Sequence, residues 1–367
     1  MTVDIARAAA ALFDPTRLRL AREFNGLRKA ELAKHVGLTP SALTQLESGA
    51  SKPTAAHLAQ LALALGFPLN FFTSDGRRQS ITDHGRAFFR SLRSTRQIDR
   101  DRAEAQAFFV REIVAELERG VRLPQVDVPS TLYMPTNGVR EDIERRADLL
   151  REQWGVPRGP IANVVRLLEA HGIIVTYCTI ECRQVSSFSR WFNDRPVIVL
   201  SASRNDLPRL RSDAAHELGH LVLHPEVEPG NQILETQAQA FASSFLLPRA
   251  EITQALPRSF DIERYGRLKQ IWGVSIQALL YRARELDRMS DATYRRAMMM
   301  ISRNGWRLDE PFPIPGHEDG SILPRAMDLL KPRGFDAMTL AKATRLPAAF
   351  VAEVVAAPAD HRPDVLL

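Results

Sequence analysis

The stretch Ala215-His-Glu-Leu-Gly-His-Leu-Val-Leu-His224 is the part of this sequence around which the fold can be built. His216 and His220 are four residues apart, and at about 100° per residue this spacing puts both imidazoles on one face of a helix. Two such histidines can bind one Zn²⁺ ion at about 2.0 to 2.1 Å each. Glu217 then lies beside the metal without being a ligand, where it can take a proton from a water molecule. The stretch therefore indicates a hydrolase.

The residues around this pattern strengthen that interpretation. A five-residue pattern also occurs by chance, and histidines often lie on half-buried helix faces for packing alone. Here the neighbours are all small or apolar: Ala214, Ala215, Leu218, Gly219, Leu221, Val222 and Leu223. A helix that is apolar nearly all round is predicted to be buried. Burying two histidines and a carboxylate without partners is costly, and a metal ion removes that cost.

Length and composition predict a globular chain of two or three domains, because 367 residues exceed a typical single domain. No apolar run is long enough for a membrane span, and the first residues show no signal-peptide pattern, so we expect a cytoplasmic protein. With only Cys178 and Cys182, a disulfide framework is not expected. The net charge of +6 is compatible with a nucleic-acid partner without establishing one.

Basic residues are concentrated between Arg77 and Arg102, where eight arginines stand against Asp83, Asp99 and Asp101. Such a run is either a solvated face or a surface that contacts phosphates, and its position after the N-terminal helices leaves both interpretations open.

The N-terminal part carries a series of helix start and stop signals. Asp14-Pro15 and Thr39-Pro40 each combine a capping residue with a proline suited to the first helical turn. The predicted helices are Thr16 to Asn25, Arg28 to His35, Thr39 to Gly49 and Thr54 to Leu65. Only Gly37-Leu38 separates the second helix from the third, which is typical of a helix-turn-helix.

At these residues the chain resembles the Xre (Cro/C1-type) DNA-binding domains. The resemblance covers roughly residues 5 to 72. It rests on four strings: Leu27-Arg-Lys-Ala-Glu-Leu-Ala, Gly37-Leu-Thr-Pro-Ser-Ala-Leu-Thr-Gln-Leu-Glu-Ser-Gly49, Lys52-Pro-Thr, and Leu58-Ala-Gln-Leu-Ala-Leu-Ala-Leu-Gly66. It implies that the third helix lies in the major groove of double-stranded DNA. The candidate DNA-contacting residues are Lys29, Thr39, Ser41, Thr44, Gln45 and Lys52. Lys29 departs from the family, which usually has Gln there. A module used only for dimerisation or protein docking is the alternative.

A second pattern precedes the metal-binding stretch. Ile173 to Tyr177, Ser187 to Phe192 and Pro196 to Leu200 are predicted strands, with Asn193-Asp194-Arg195 as a hairpin turn. We therefore expect a small sheet beside the metal-bearing helix. In zinc peptidases a sheet edge often receives the substrate as an added strand, but the sequence does not indicate which edge is free.

A catalytic zinc usually takes three protein ligands and keeps one position for water. From the residues alone the third ligand could be Glu226, Glu228, His224 or Glu235, the last at the start of a predicted helix whose Ala238 and Ala242 allow close packing. The longer metzincin spacing needs a histidine at position 226 and is excluded.

From about Arg140 to Leu286 the chain also resembles the ImmA/IrrE family of zinc metallopeptidases. The residues that carry the resemblance are Ala214-Ala-His-Glu-Leu-Gly-His-Leu-Val-Leu-His, Glu235-Thr-Gln-Ala-Gln-Ala-Phe-Ala-Ser-Ser-Phe-Leu-Leu-Pro and Trp272-Gly-Val-Ser. It implies that His216, His220 and Glu235 bind Zn²⁺ and that Glu217 is the general base. Gln239 stands where the family usually has Asn or Asp, which can soften the site if that residue orients a ligand.

We therefore expect an α+β, mostly α chain. Residues 1–72 are predicted to be an all-α helix-turn-helix domain, 73–135 a basic helical linker, 136–289 a zincin-like domain with a small sheet, and 290–367 a helical region of unknown role. Within the last region, Asp336 to Pro347 faintly resembles a helix-turn-helix pattern, too weakly to assign a function.

The functional hypothesis is a DNA-binding transcriptional regulator with a zinc endopeptidase domain. Its protein substrate would be a repressor, the target class of the ImmA/IrrE family, or its own linker, and by analogy with Xre domains it would act as a homodimer. One alternative is a transcription factor whose peptidase-like domain senses a ligand or zinc without proteolysis. Another is an antitoxin-like module that binds a partner protein.

Overall fold

The computed structural model describes residues 2–74, 88–89, 96–134, 138–178, 187–192, 195–201, 206–224, 232–314 and 316–356. Within these residues the chain is α+β and mostly helical with one small sheet, as predicted. No helix in this described part combines the length and the apolar content that crossing a bilayer requires.

The N-terminal part contains α1 (Thr2–Ala11), which was not predicted, and then four helices that lie where the sequence predicts them. The four are α2 (Pro15–Phe24), α3 (Lys29–His35), α4 (Pro40–Glu47) and α5 (Ala55–Leu65). Asp14 caps α2 by accepting from the backbone N–H of Thr16, and Thr39 caps α4 by accepting from that of Ala42. Helix α5 ends at Gly66, whose φ of 72° suits glycine. We call residues 2–74, which contain α1 to α5, the head.

Helix α6 (Gln97–Glu118) connects the head to the sheet. Its first turn is polar and shows no apolar periodicity. A hydrogen bond of 2.7 Å from Gln97 to Asp101 supports that turn. Further along, Glu112 forms a buried ion pair with Arg17 of α2, and Phe109 contacts Phe24 with ring centroids 5.2 Å apart.

The sheet contains the three predicted strands and one short strand from the linker. The strands are β1 (Phe88–Phe89), β2 (Ile174–Cys178), β3 (Ser187–Phe192) and β4 (Arg195–Ser201), in the order β1-β3-β4-β2. Strands β2 and β4 are parallel, and the other pairs are antiparallel. Strand β1 was not predicted because two residues carry no periodicity. Asn193 and Asp194 of the predicted turn lie outside the described residues.

The sheet separates two hydrophobic cores, since alternate residues of a strand face opposite sides. One face packs on α6 and the head through Ile174, Phe188, Val197 and Val199. The other face packs on the metal-site helices through Ile173, Val175, Ile198 and Leu200.

The second core is formed by helices that follow the linker. They are α7 (Arg140–Gln153), α8 (Val164–Ala170), α9 (Leu207–Leu223), α10 (Gln232–Leu246), α11 (Arg249–Ile252), α12 (Ile262–Trp272), α13 (Ile276–Glu285) and α14 (Asp291–Arg303). Helix α8 begins at Val164 because the Asn163 side chain caps it by accepting from the backbone N–H of Arg166. Helix α9 packs between α10 on one side and β3 and β4 on the other.

The C-terminal region is helical, as predicted. Its helices are α15 (Ile322–Leu330), α16 (Ala337–Thr344) and α17 (Ala348–Val355). All three contribute to the same core as the head and α6. The C-terminal end of the described chain therefore packs beside its N-terminal end.

Candidate metal centre and DNA-binding surface

Helix α9 is buried along its second half, as its apolar surroundings predict. His216, Glu217 and His220 each expose at most 1% of their surface. The two histidines face the same direction, with ring centroids 4.8 Å apart. Polar side chains at such depth need partners, and these come from α10 and β3.

A close approach of α9 and α10 brings Glu235 to the histidines. A Cβ atom added at Gly219 would lie 3.1 Å from both the Cα and the carbonyl oxygen of Ala238. Glycine between the two histidines and alanine on α10 therefore let the two backbones come together. Because Glu235 lies in the first turn of α10, this contact sets its position beside His216 and His220.

The three candidate ligand side chains form a small triangle. His216 Nε2 and His220 Nε2 are 3.1 Å apart, and they lie 3.3 and 3.4 Å from the two carboxylate oxygens of Glu235. A tetrahedral ion with ligand distances of about 2.0 to 2.2 Å separates its ligand atoms by roughly 3.3 to 3.6 Å. The observed separations match these values within a few tenths of an ångström.

The chemistry of these donors also fits a cation. Each Nε2 carries either one hydrogen or one lone pair, yet each faces two partners, the other ring nitrogen and a Glu235 oxygen. A single cation at the centre satisfies all three groups at once. Among the described residues these three form the group of metal-ligating side chains close enough to share an ion.

Glu235 supplies the negative charge of this centre. Burial alone raises the pKa of its carboxyl group, but hydrogen bonds and charge from His216 and His220 lower it to about 2. The carboxylate is thus ionised at neutral pH, as a metal ligand must be. Its side chain is 17% exposed, so the centre is reached from solvent on the side of α10.

Glu217 points to β3 and is held by two serines that sequence reasoning missed. Ser187 Oγ donates to one carboxylate oxygen and Ser189 Oγ to the other, both at 2.8 Å. Burial raises the pKa of Glu217 to about 7, while the charge of His220 and the two serine hydrogen bonds oppose that rise. The available signal was the Ser-Phe-Ser alternation, which puts both hydroxyls on one face of a strand.

His224 lies behind the triangle rather than in it. Its Nδ1 is 3.4 Å from His220 Nδ1, and its Nε2 is 2.8 Å from the amide oxygen of Gln237. Burial and the nearby His220 lower the pKa of His224 to about 4. The amide that contacts this histidine pair therefore belongs to Gln237. Gln239 instead lines a pocket that also includes Pro208 and Tyr281.

The other sequence candidates fall elsewhere. Glu226, Glu228 and Cys182 lie outside the described residues. Cys178 is buried with its sulfur 3.6 Å from Gln106 Oε1 on α6, on the other side of the sheet from α9.

Helix α4 presents the predicted base-contacting residues on its outer surface. Ser41, Thr44 and Gln45 are all exposed, and their spacing puts them on one face. The Thr44 hydroxyl donates to the Pro40 carbonyl at 2.9 Å. The Gln45 side chain is the longest of the three, so its amide extends furthest from this face. Thr39 is occupied by its capping hydrogen bond.

The two flanking lysines are engaged within the head. Lys29 Nζ is 3.4 Å from Glu47, which also pairs with Arg22, while Lys52 Nζ donates to the Ala11 carbonyl at 2.7 Å. Each ammonium group has three N–H donors, so it can contact a phosphate while it keeps its partner. Most of the basic run between Arg77 and Arg102 lies outside the described residues.

Two family models match the chain in the expected order. Residues 18–72 match the helix-turn-helix family, and residues 168–284 match the IrrE N-terminal-like domain of the M78 peptidases. The chain therefore contains a region similar to Xre-type helix-turn-helix domains, followed by a region similar to the ImmA/IrrE peptidase domain. No curated protein matches it.

Proposed function

We propose that this chain, a helix-turn-helix region joined to an IrrE-like region, is a DNA-binding regulator with a zinc-dependent endopeptidase centre. The observation that carries the proposal is the triangle of His216, His220 and Glu235 with Glu217 beside it. In this proposal residues 1–72 bind DNA, residues 73–135 link the DNA-binding domain to the peptidase domain, and residues 136–289 hold the peptidase site. The protein acts as a homodimer in the cytoplasm, where its DNA is.

The chemistry follows from the roles of the side chains. His216, His220 and Glu235 hold Zn²⁺, which when bound supplies a Lewis acid and lowers the pKa of water. Glu217 accepts the proton of the attacking water and passes it to the leaving amine. The serines on β3 keep its carboxylate in one orientation, and each oxygen retains a further lone pair for that proton.

The substrate is a protein, either a repressor or the linker of this chain. Support for the linker comes from β1, whose Phe88 pairs with Ser189 and Phe89 with Phe188 at the outer edge of β3. A peptide added to a sheet edge is held by main-chain hydrogen bonds. Part of the linker thus lies against the strand that holds Glu217.

The DNA-binding half rests on the exposed face of α4. Gln45 has an amide suited to a bidentate contact with adenine, and Ser41 and Thr44 can contact bases or phosphates. Lys29 and Lys52 contribute phosphate contacts through their remaining N–H donors.

The test is Glu217→Gln, assayed for zinc content and for cleavage of both the chain itself and casein. We expect the variant to retain zinc and lose hydrolysis. Glu263→Gln, an exposed carboxylate on α12, is the matched control and keeps both properties. Cleavage by Glu217→Gln at the wild-type rate would rule out the general-base role.

A sensor without proteolysis is the second candidate, and one observation favours it. Both oxygens of Glu217 accept hydrogen bonds and the residue is fully buried. In that case DNA binding responds to zinc, and the wild-type chain loaded with zinc cleaves neither itself nor casein.

A further inference from the structure

Helices α15, α16 and α17 repeat the arrangement of α2, α3 and α4. A gapless alignment of residues 15–47 with residues 323–355 matches the ends of α4, Pro40–Glu47, to those of α17, Ala348–Val355. The apolar core positions agree as well: Leu32 with Leu340, Ala33 with Ala341, Leu43 with Val351, Leu46 with Val354, and the partly buried Leu38 with Leu346. In each set the first helix packs on the third.

The turns between the helices also agree in their backbone hydrogen bonds. In both sets the backbone N–H after each turn donates to a carbonyl of the preceding helix, and the residues involved are aligned. At the first turn, Leu27 N–H donates to Arg22 (3.1 Å) and Phe335 N–H to Leu330 (3.4 Å). At the second turn, Leu38 N–H donates to Ala33 (2.9 Å) and Leu346 N–H to Ala341 (3.2 Å).

Left-handed backbone conformations occur at the same two points. At the first point the aligned Gly26 and Gly334 have φ angles of 62° and 73°. At the second point the aligned Gly37 and Arg345 have φ angles of 67° and 57°. A side chain in this region is unfavourable, so an arginine there requires a turn whose geometry the packing determines. The C-terminal helices thus form the three-helix core of a second helix-turn-helix.

The base-reading face is lost in this second unit. Ser41, Thr44 and Gln45 of α4 align with Ala349, Ala352 and Glu353 of α17. Alanine carries no hydrogen-bonding group, and a carboxylate is repelled by phosphates. Helix α17 therefore lacks the chemistry with which α4 would read DNA.

Helix α17 contacts the head instead. Phe350, which aligns with the small Ala42, lies with its ring centroid 5.0 Å from Phe24 and 6.3 Å from Phe109. The guanidinium of Arg345 donates to the Asn70 carbonyl at 3.0 Å and to the Thr73 hydroxyl at 2.9 Å. The side chains that differ from the first unit are thus those that contact the head and α6.

We propose that residues 322–355 are a degenerate helix-turn-helix whose binding partner is the head of the same chain. The unit packs on α6 as well as on the head, which α6 also contacts, so that α4 keeps one orientation relative to the peptidase region. A cut in the linker before α6 then leaves the head attached by non-covalent contacts.

The first test introduces a carboxylate at aligned positions of the two units and compares the effect on DNA affinity. Thr44→Glu and Ala352→Glu are assayed against a duplex selected from a random pool by the wild-type chain. Ala352→Glu leaves the affinity unchanged, whereas Thr44→Glu lowers it by roughly tenfold or more. A comparable loss in Ala352→Glu would mean that α17 faces DNA and would overturn the proposal.

The second test measures whether the head stays bound to the rest of the chain after the linker is cut. It needs neither zinc nor cleavage by the chain, so a negative result here is distinct from a failure of the peptidase proposal. A recognition sequence for a specific protease is inserted between Gly76 and Arg77, and the cut protein is analysed by gel filtration. The wild-type fragments elute together. The double variant Arg345→Gly with Phe350→Ala separates the two fragments. Arg345→Gly alone, which keeps the left-handed turn, weakens their association.

The control for this test is Lys342→Ala, at an exposed residue on α16. Equal release in wild type and double variant would refute the proposal.

Discussion

Ser189 contacts Glu217 with its side chain, at 2.8 Å, while its backbone pairs with the linker strand at Phe88. One residue thus joins the outer edge of the sheet to the carboxylate beside the candidate metal ligands. A peptide that occupies this edge lies one strand spacing, about 4.8 Å, from the residue that orients Glu217. A peptide bound at this edge of β3 can therefore affect the orientation of the Glu217 carboxylate through Ser189.

Replacing the two serines tests whether this orientation matters. Ser187→Ala with Ser189→Ala leaves a buried carboxylate without its donors, which costs about 1 to 3 kcal/mol for each unsatisfied group. We expect normal zinc content and cleavage of casein reduced by roughly tenfold or more. Ser243→Ala, a half-buried serine on α10, serves as control. Unchanged cleavage in the double variant would show that Glu217 needs no support from β3.

The approach of α9 and α10 is open to a direct test at Gly219. In Gly219→Ala the new methyl group meets Ala238 at 3.1 Å and pushes α10, and Glu235 with it, away from the histidines. We expect zinc affinity to fall by roughly 10- to 100-fold. Ala214→Gly, which lowers helix stability without adding an atom, should retain zinc. The measurement is zinc content after dialysis against a competing chelator, and full retention by Gly219→Ala would contradict the packing argument.

A buried ion pair joins α9 to the segment before α15. Arg211 pairs with Glu318, their side chains are 4% and 1% exposed, and Glu318 also accepts from the backbone N–H of Val164 at 2.7 Å. Glu318→Ala leaves a buried charge alone and should lower the free energy of unfolding by about 3 to 5 kcal/mol. Arg211→Met with Glu318→Leu should cost less than the sum of the two single variants.

Urea unfolding measures these changes. The control is Asp142→Ala, which removes a surface pair with Arg145 whose side chains are 34% and 63% exposed, and it should change stability by less than about 1 kcal/mol. Similar losses at both sites would mean that burial adds nothing to the Arg211 pair.

Glu169 makes stability depend on pH. Burial raises the pKa of its carboxyl group from 4.5 to about 7, although the backbone N–H groups of Ser321 and Ile322 and the charge of Arg166 oppose the rise. Tyr177, Glu318 and Asp319 are the other titratable groups near it. The folded state holds this proton more tightly than the unfolded state, so stability falls as pH rises from 4.5 to about 7.

The expected loss over that window is up to about 3 kcal/mol. Glu169→Gln keeps the shape of the side chain and cannot ionise, so its stability should vary less over the same range. Thermal unfolding at several pH values gives the comparison, and parallel curves for the two proteins would contradict the assignment.

Local patterns of the sequence were sufficient for the helices and for the two histidines. His216 and His220 share a face because the helical repeat puts them there, and α2 to α5 begin and end at capping residues that act within one turn. The strands from Ile174 to Ser201 likewise follow from short apolar runs. Such features depend on neighbours in the chain, which the sequence displays directly.

The partners of those features were decided by tertiary structure. Glu235 meets the histidines because Gly219 and Ala238 allow two helices to touch, and Ser189 meets Glu217 because β3 crosses α9. Arg345 adopts a conformation that its residue type disfavours because the packing of α15 to α17 on the head requires that turn. These contacts join residues far apart in the chain, and shape complementarity between whole elements, rather than any local repeat, selects them.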